Sequence, residues 1–189
     1  YPGIKKIYSE KYQIVHRSAA ACLPLINSLN SYKPEKGCDD VNAKNYEEIS
    51  NLVPDTILLA GFWSEENWKL IENTIIELNK IKIKNIYLVG PVPRWGDPLP
   101  KEIIRHFQKF RKIPKYLKND SHKMFFDIDL KIKNLSSKLN IKYFSPISIF
   151  CNEKGCLTNV DNSYNSIVAW DEAHLTEKGS IYLISKFDQ

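Results

Sequence analysis

Short apolar runs alternate along this chain with longer stretches of helical periodicity, and that alternation constrains the fold more than any other feature. Tyr12-Gln13-Ile14-Val15-His16, Asp55 to Gly61, Asn85 to Pro91 and the weaker Lys142-Tyr143-Phe144-Ser145-Pro146 read as strands. Between them, Glu65 to Lys80 places Trp68, Ile71, Ile75, Ile76 and Leu78 on one side, with Ser64 as its N-cap. Phe125 to Leu139 is a second helix. Thr176 to Phe187 is a third, capped by Thr176, with Ile181, Leu183, Ile184 and Phe187 as its stripe. Strands separated by helices pair in parallel, because a parallel crossover needs a helix-length connection. The near-continuous apolar run after Pro54 fits a strand buried on both faces. The expectation is an α/β fold whose parallel sheet is covered on both sides. No repeat or linker divides residues 1–189, which read as a single domain.

In such sheets the functional crevice lies beyond the carboxyl ends of the strands. The segments to inspect there are Arg17 to Pro24, Gly61 to Ser64, Gly90 to Arg94, and Asp171 to Thr176. The topology predicts that these converge on one rim. Only the last carries a recognisable pairing of reactive groups, Asp171-x-x-His174. An imidazole can take a proton from a hydroxyl nucleophile, and a carboxylate beside it fixes the tautomer and stabilises the imidazolium. The bland alternative is that Asp171 caps the following segment and His174 is a satisfied, half-buried side chain. Ser18 and Ser64 each follow a predicted strand, but neither sits in a G-x-S-x-G elbow, and turn or capping roles are their default. His16, His106 and His122 have no partner in a motif.

Composition narrows the class. The chain is 43% hydrophobic and 26% charged, which suits a globular domain rather than a disordered or bilayer-embedded chain. Its longest apolar stretches, such as Thr56 to Trp63, are far shorter than the roughly 20 residues a bilayer requires. Net charge is +5, and much of the excess lies between Lys101 and Lys118. There Ile103, Ile104, Phe107 and Phe110 recur at helical spacing, so the basic residues fall on the outer face. Such a run serves a phosphate-rich partner or is simply a solvated face. Four cysteines form two local groups, Cys22 with Cys38 and Cys151 with Cys156. The second encloses a turn in which Gly155 can take positive φ. No Cys-x-x-Cys or suitably spaced His suggests zinc. Two local disulfides, hence an oxidising compartment, are expected; free structural thiols are the alternative.

Asp171-x-x-His174-Leu175-Thr176-x-x-Gly179 resembles the terminal block of the SGNH (GDSL-type) hydrolases. More narrowly, the chain resembles the SGNH domain fused to bacterial membrane-bound acyltransferase-3 proteins. Ser18-Ala19-Ala20-Ala21-Cys22-Leu23-Pro24 is similar to that group's Ala-Cys-Pro-Pro region. Leu58-Leu59-Ala60-Gly61-Phe62-Trp63 is similar to its apolar strand ending in Trp, and Val89-Gly90-Pro91-Val92-Pro93 to its Gly-Pro-x-Pro turn. The paired cysteines ahead of the Asp-His block also fit. The resemblance implies a flavodoxin-like, three-layer α/β/α sandwich. It also implies a serine nucleophile in a Gly-Asp-Ser motif on the first strand, followed by a helix resembling Tyr1-Pro2-Gly3. The sequence contains no such motif. The expectation is that the serine and its strand lie upstream of Tyr1 and are missing here. The superfamily's oxyanion Asn is also absent, which leaves a backbone N–H near Gly61 or Ala21, or the Trp63 indole, as donor.

What the resemblance implies is transfer of an acyl group, acetyl above all, to a hydroxyl of a cell-surface glycan such as lipopolysaccharide or cell wall. The route is an acyl-serine, with His174 as base and acid and Asp171 as orienter. The donor would arrive through a membrane acyltransferase domain, placing this part at the periplasmic face of the inner membrane. Neither metal nor bound cofactor nor nucleic acid is expected. Two alternatives stand beside it. One is a carbohydrate esterase of the same fold, with water as acceptor. The other is a non-catalytic glycan-binding module using Trp63, Trp68, Trp95 or Tyr164 to stack on sugars.

Overall fold

The computed structural model describes residues 1–26, 37–161 and 163–187, and the His122 side chain lies outside what it describes. In chain order the elements are α1 (Pro2–Tyr8), α2 (Cys38–Leu52), β1 (Thr56–Ala60), α3 (Ile71–Lys80), β2 (Asn85–Val89), α4 (Leu99–Phe110), β3 (Tyr116–Leu117), α5 (His122–Lys138), β4 (Lys142–Phe144), α6 (Pro146–Phe150), β5 (Cys151–Asn152), β6 (Gly155–Leu157) and α7 (Glu177–Ile184). They fall into two compact units interleaved along the chain. One, the sheet unit, comprises Arg17–Pro91 and Asp127–Ser145; the other, the terminal unit, comprises Tyr1–His16, Val92–Phe126 and Pro146–Gln189.

The sheet unit holds the expected parallel sheet, in the order β1-β2-β4. Thr56 pairs with Asn85 and Ala60 with Val89, while Tyr87 to Val89 pair with Lys142 to Phe144. Alternation along the strands puts Ile57, Leu59, Ile86 and Leu88 on one face. That face shares a core with Ile71, Ile75 and Leu78 of α3 and Ile128, Ile132 and Leu135 of α5. Each fully buried aliphatic side chain there contributes about 1.5–3 kcal/mol to folding. The sequence places a helix over Glu65 to Lys80, but α3 begins only at Ile71, after a 3-10 turn at Trp68–Leu70. Ser64 is not its cap. Instead its N–H donates to the Asn67 carboxamide (2.9 Å), and its carbonyl accepts from Asn67 and Trp68. Gly90 follows β2 because a Cβ there would lie 2.1 Å from the Tyr143 hydroxyl. That hydroxyl donates to Asp129 (2.7 Å), and burial together with the carboxylate pushes the phenol's pKa far up.

The terminal unit packs α1 against α7. The Gly3 N–H donates to the Ser180 hydroxyl (2.9 Å), and a Cβ on Gly3 would stand 2.2 Å from the Ser180 carbonyl oxygen. A small antiparallel sheet, β3-β6-β5, completes the unit. Gly155 turns between β5 and β6 at φ +117°, as its place in the cysteine turn predicts. The run Tyr12 to His16 is not a strand. Lys11 and Tyr12 turn back onto the Tyr8 carbonyl, and His16 stacks on Tyr1 at 4.2 Å. β-branched and aromatic composition suits a pleated surface, but a strand forms only against a partner edge.

Both expected disulfides are present, Cys22–Cys38 and Cys151–Cys156. The second lies directly across the β5–β6 pair, whose register sets Cys151 opposite Cys156. With sequence separations of 16 and 5, loop-closure entropy predicts about 3 and about 2 kcal/mol of stabilisation. Thiol titration of the unreduced, denatured chain should detect no free thiol. The Cys22→Ala, Cys38→Ala pair should lower the unfolding free energy in urea by about 3 kcal/mol. Four titratable thiols would refute the pairing.

Candidate active site

Asp171 and His174 are brought together by a tight loop of the terminal unit. Asp171 Oδ1 accepts two backbone hydrogen bonds, from the N–H groups of Ala173 (2.9 Å) and His174 (2.7 Å). This turn explains why two intervening residues suffice. It folds the chain back on the carboxylate and leaves Oδ2 for the ring. The His174 Nδ1 then lies 2.6 Å from Oδ2. An ionised carboxylate only accepts, so Nδ1 carries the proton and donates it. Nε2 is left with its lone pair, the state a general base requires. Burial pushes the Asp171 carboxyl up, but the hydrogen bonds from Ala173, His174 N–H and the imidazole outweigh it, and its pKa lies below the usual carboxylate range. With the folded value depressed, its contribution to stability is complete above the unfolded value and is lost as pH falls through the folded one.

The loop is anchored at both sides. The carbonyls of Asp171 and Glu172 accept from the N–H groups of Leu99 (3.1 Å) and Trp95 (2.8 Å). The Trp170 N–H donates to the His174 carbonyl (3.1 Å), and Ala169 bridges to Leu175. Thr176 caps α7, as its sequence predicts, by accepting the Gly179 N–H at 3.0 Å. Asp171 is therefore not the helix cap, and the His174 side chain is 75% exposed, neither buried nor packed away. Trp170 stacks on His174 at 5.3 Å and is itself 60% exposed. Nothing in the sequence singled it out, since an isolated Trp gives no sign of its exposure.

A Cβ on Gly179 would lie 2.1 Å from the Val168 carbonyl oxygen, the group that also accepts the Thr176 N–H. Gly179→Ala should therefore loosen the base of the loop. It should cost about 2 kcal/mol or more. The melting temperature should fall by roughly 4–8 °C. An unchanged melting temperature would show that the contact yields freely.

Residues 1–189 match the family described as the SGNH domain fused to AT3 domains. The chain belongs to that family. Among solved structures, the periplasmic domain of the lipopolysaccharide acetyltransferase of Salmonella ser. Paratyphi A is similar to this SGNH domain. It shares 27% identity and a TM-score of 0.86, over 99% of this chain and 76% of that one. No curated protein sequence matches.

The other residues proposed for this SGNH domain's site, Gly61, Trp63 and Ala21, belong to the sheet unit. Trp63 is fully buried, and its indole N–H donates to the Val89 carbonyl at 2.8 Å. The indole is thus committed to packing and to β2, leaving backbone N–H groups as the donors to consider. Gly61 is hemmed in, with Leu23, Pro24 and Trp63 within 3.2 Å of where a Cβ would be. Ala21 adopts a left-handed conformation (φ 58°) next to the Cys22–Cys38 disulfide. Of the aromatics considered for sugar stacking, Trp63 and Trp95 are buried and Trp68 half-buried, whereas Tyr164 is 71% exposed. Among the described residues no cluster of His, Cys, Asp and Glu could hold a metal ion. No described helix is long and apolar enough to cross a membrane.

Proposed function

We propose that this SGNH domain is the periplasmic, acyl-transferring part of a membrane O-acyltransferase that modifies a hydroxyl of a cell-surface glycan. The observation that carries the reading is the Asp171–His174 pair, held at 2.6 Å with the correct nitrogen engaged, in a chain of this family. The likeness to a lipopolysaccharide acetyltransferase supports acetyl as the group and a bacterial surface glycan as the acceptor. The two disulfides suit an oxidising compartment.

In this reading the nucleophile is the serine of a Gly-Asp-Ser motif upstream of Tyr1. His174 Nε2 takes the serine proton as its oxygen attacks the acyl carbonyl, then returns that proton to the departing donor. In the second half it takes a proton from the glycan hydroxyl as that oxygen attacks the acyl-serine, and gives it to the leaving serine. Asp171 stays ionised throughout and stabilises the imidazolium. The oxyanion that forms on attack calls for backbone N–H donors. A cleft of about 340 Å³ bordered by Tyr164, Asn165, Trp170 and Lys178 supports a sugar acceptor, since exposed aromatic faces beside polar groups suit pyranose rings. The high exposure of His174 favours a second reading, an esterase in which water replaces the glycan.

Two measurements test this. The 189-residue chain should hydrolyse p-nitrophenyl acetate no faster than its His174→Ala variant. The chain joined to a Gly-Asp-Ser strand and its membrane domain should move labelled acetyl onto chemically de-O-acetylated lipopolysaccharide. Release of free acetate with no labelled glycan would favour the esterase. A His174-dependent rate in the chain alone would reinstate Ser18 or Ser64.

A further inference from the structure

The helix α4 carries more apolar surface than its packing uses. At 3.6 residues per turn, Leu99 and Ile103 share the line that packs inward, and both are buried. Ile104 and Phe107 occupy the adjoining flank and Phe110 closes the helix, at 55%, 43% and 57% exposure. The sequence pattern places all these residues on one inward face, so this outward flank is a correction to it. Isolated exposed apolar residues need no explanation, but three on one twelve-residue helix form a strip.

Cations border this strip. Lys101, Arg105 and Lys109 lie on the other flank of the outer face, and Arg111 and Lys112 follow where the helix ends with Arg111 in a left-handed conformation. Asp97 holds Lys101 (2.7 Å) and Arg105. Lys109 lies 5.1 Å over the Phe110 ring, so the apolar and basic surfaces interleave. From Leu99 to Lys118 the only acidic residue is Glu102, within α4, against Lys101, Arg105, Lys109, Arg111, Lys112, Lys115 and Lys118.

We propose that α4 is a docking face for an anionic lipid bilayer. Ile104, Phe107 and Phe110 enter the interface, and Lys109, Arg111 and Lys112 meet the phosphate head groups. Charge complementarity selects this occupant. A two-fold contact between copies would set the same cations against each other, whereas an anionic lipid surface neutralises them. Membership of a family fused to AT3 domains is consistent with a bilayer nearby, and the proposal stands whether or not the acyl-transfer reading does.

Co-sedimentation of the full chain with vesicles tests it. The chain should partition onto phosphatidylcholine vesicles containing a quarter phosphatidylglycerol, and not onto pure phosphatidylcholine. Raising the salt should release it. Free inorganic phosphate at moderate concentration should not compete. The Ile104→Ser, Phe107→Ser pair should weaken binding about tenfold or more, with an unchanged melting temperature because both side chains are exposed. The Lys109→Glu, Lys112→Glu pair should abolish the preference for anionic vesicles. Equal binding to both vesicle types, or undiminished binding by the serine pair, would overturn the proposal. So would a dimer in solution that the serine pair converts to monomer, which would assign the face to a second copy.

Discussion

In a chain supplied with its serine-bearing strand, His174→Ala will lower acyl transfer by about four orders of magnitude. Without the imidazole no group at this position can move a proton between serine, donor and acceptor. Asp171→Asn is the more informative variant. Its side-chain oxygen still accepts from the Ala173 and His174 N–H groups, so the turn survives. Its amide, however, turns a donor toward Nδ1, which drives the proton to Nε2 and removes the base. A loss of about four orders of magnitude is again expected, in kcat more than in KM. Asp171→Ala should lose activity and also destabilise the loop, because both backbone N–H groups are left without their acceptor. The measurement is kcat/KM for each variant with glycan present. Activity indifferent to Asp171→Asn would break the triad reading.

The second large effect is expected at Trp63. Fully buried and bonded to the Val89 carbonyl, it should cost about 3–5 kcal/mol when replaced by Ala. Trp63→Phe separates its two conceivable roles. It retains most of the packing but strips Val89 of its indole partner, a loss of about 1–3 kcal/mol. If the indole served an oxyanion, the same change would lower the rate by about two to three orders of magnitude with stability little altered. The structure leads to the first outcome, read by urea unfolding beside a transfer assay.

What the sequence revealed was chiefly local or strongly periodic. The Asp171-x-x-His174 pair and the Thr176 cap each close over three residues, so nothing distant is needed to form them. Thr56–Ala60 and Asn85–Val89 stand out as near-continuous apolar runs, each behind one polar residue. Tyr12 to His16 has strand-like composition but pairs with no strand among the described residues. The helix Cys38–Leu52 went unnoticed because its apolar residues are sparse and Gly37, at φ 91°, opens it without a side-chain cap. Tyr116–Leu117 is a strand only by virtue of pairing with Gly155–Leu157 across some forty residues of chain, which no local pattern encodes. The apolar periodicity of α4 was visible, but periodicity identifies a face and does not say what covers it. Trp63 and Tyr164 looked alike as aromatics, and only packing separates one from the other.

The contact of Gly3 with Ser180 joins residues 177 positions apart. During synthesis, α1 must wait for α7, its partner, until the residues between them have been made. The sheet unit, ending at Ser145, can assemble before then. The loop bearing Asp171 and His174 immediately precedes α7; its pair closes locally, and Trp95 and Leu99 anchor it from earlier in the chain. Premature chain termination anywhere before Ser180 would leave the Gly3 N–H without its acceptor and α1 without the helix it packs on.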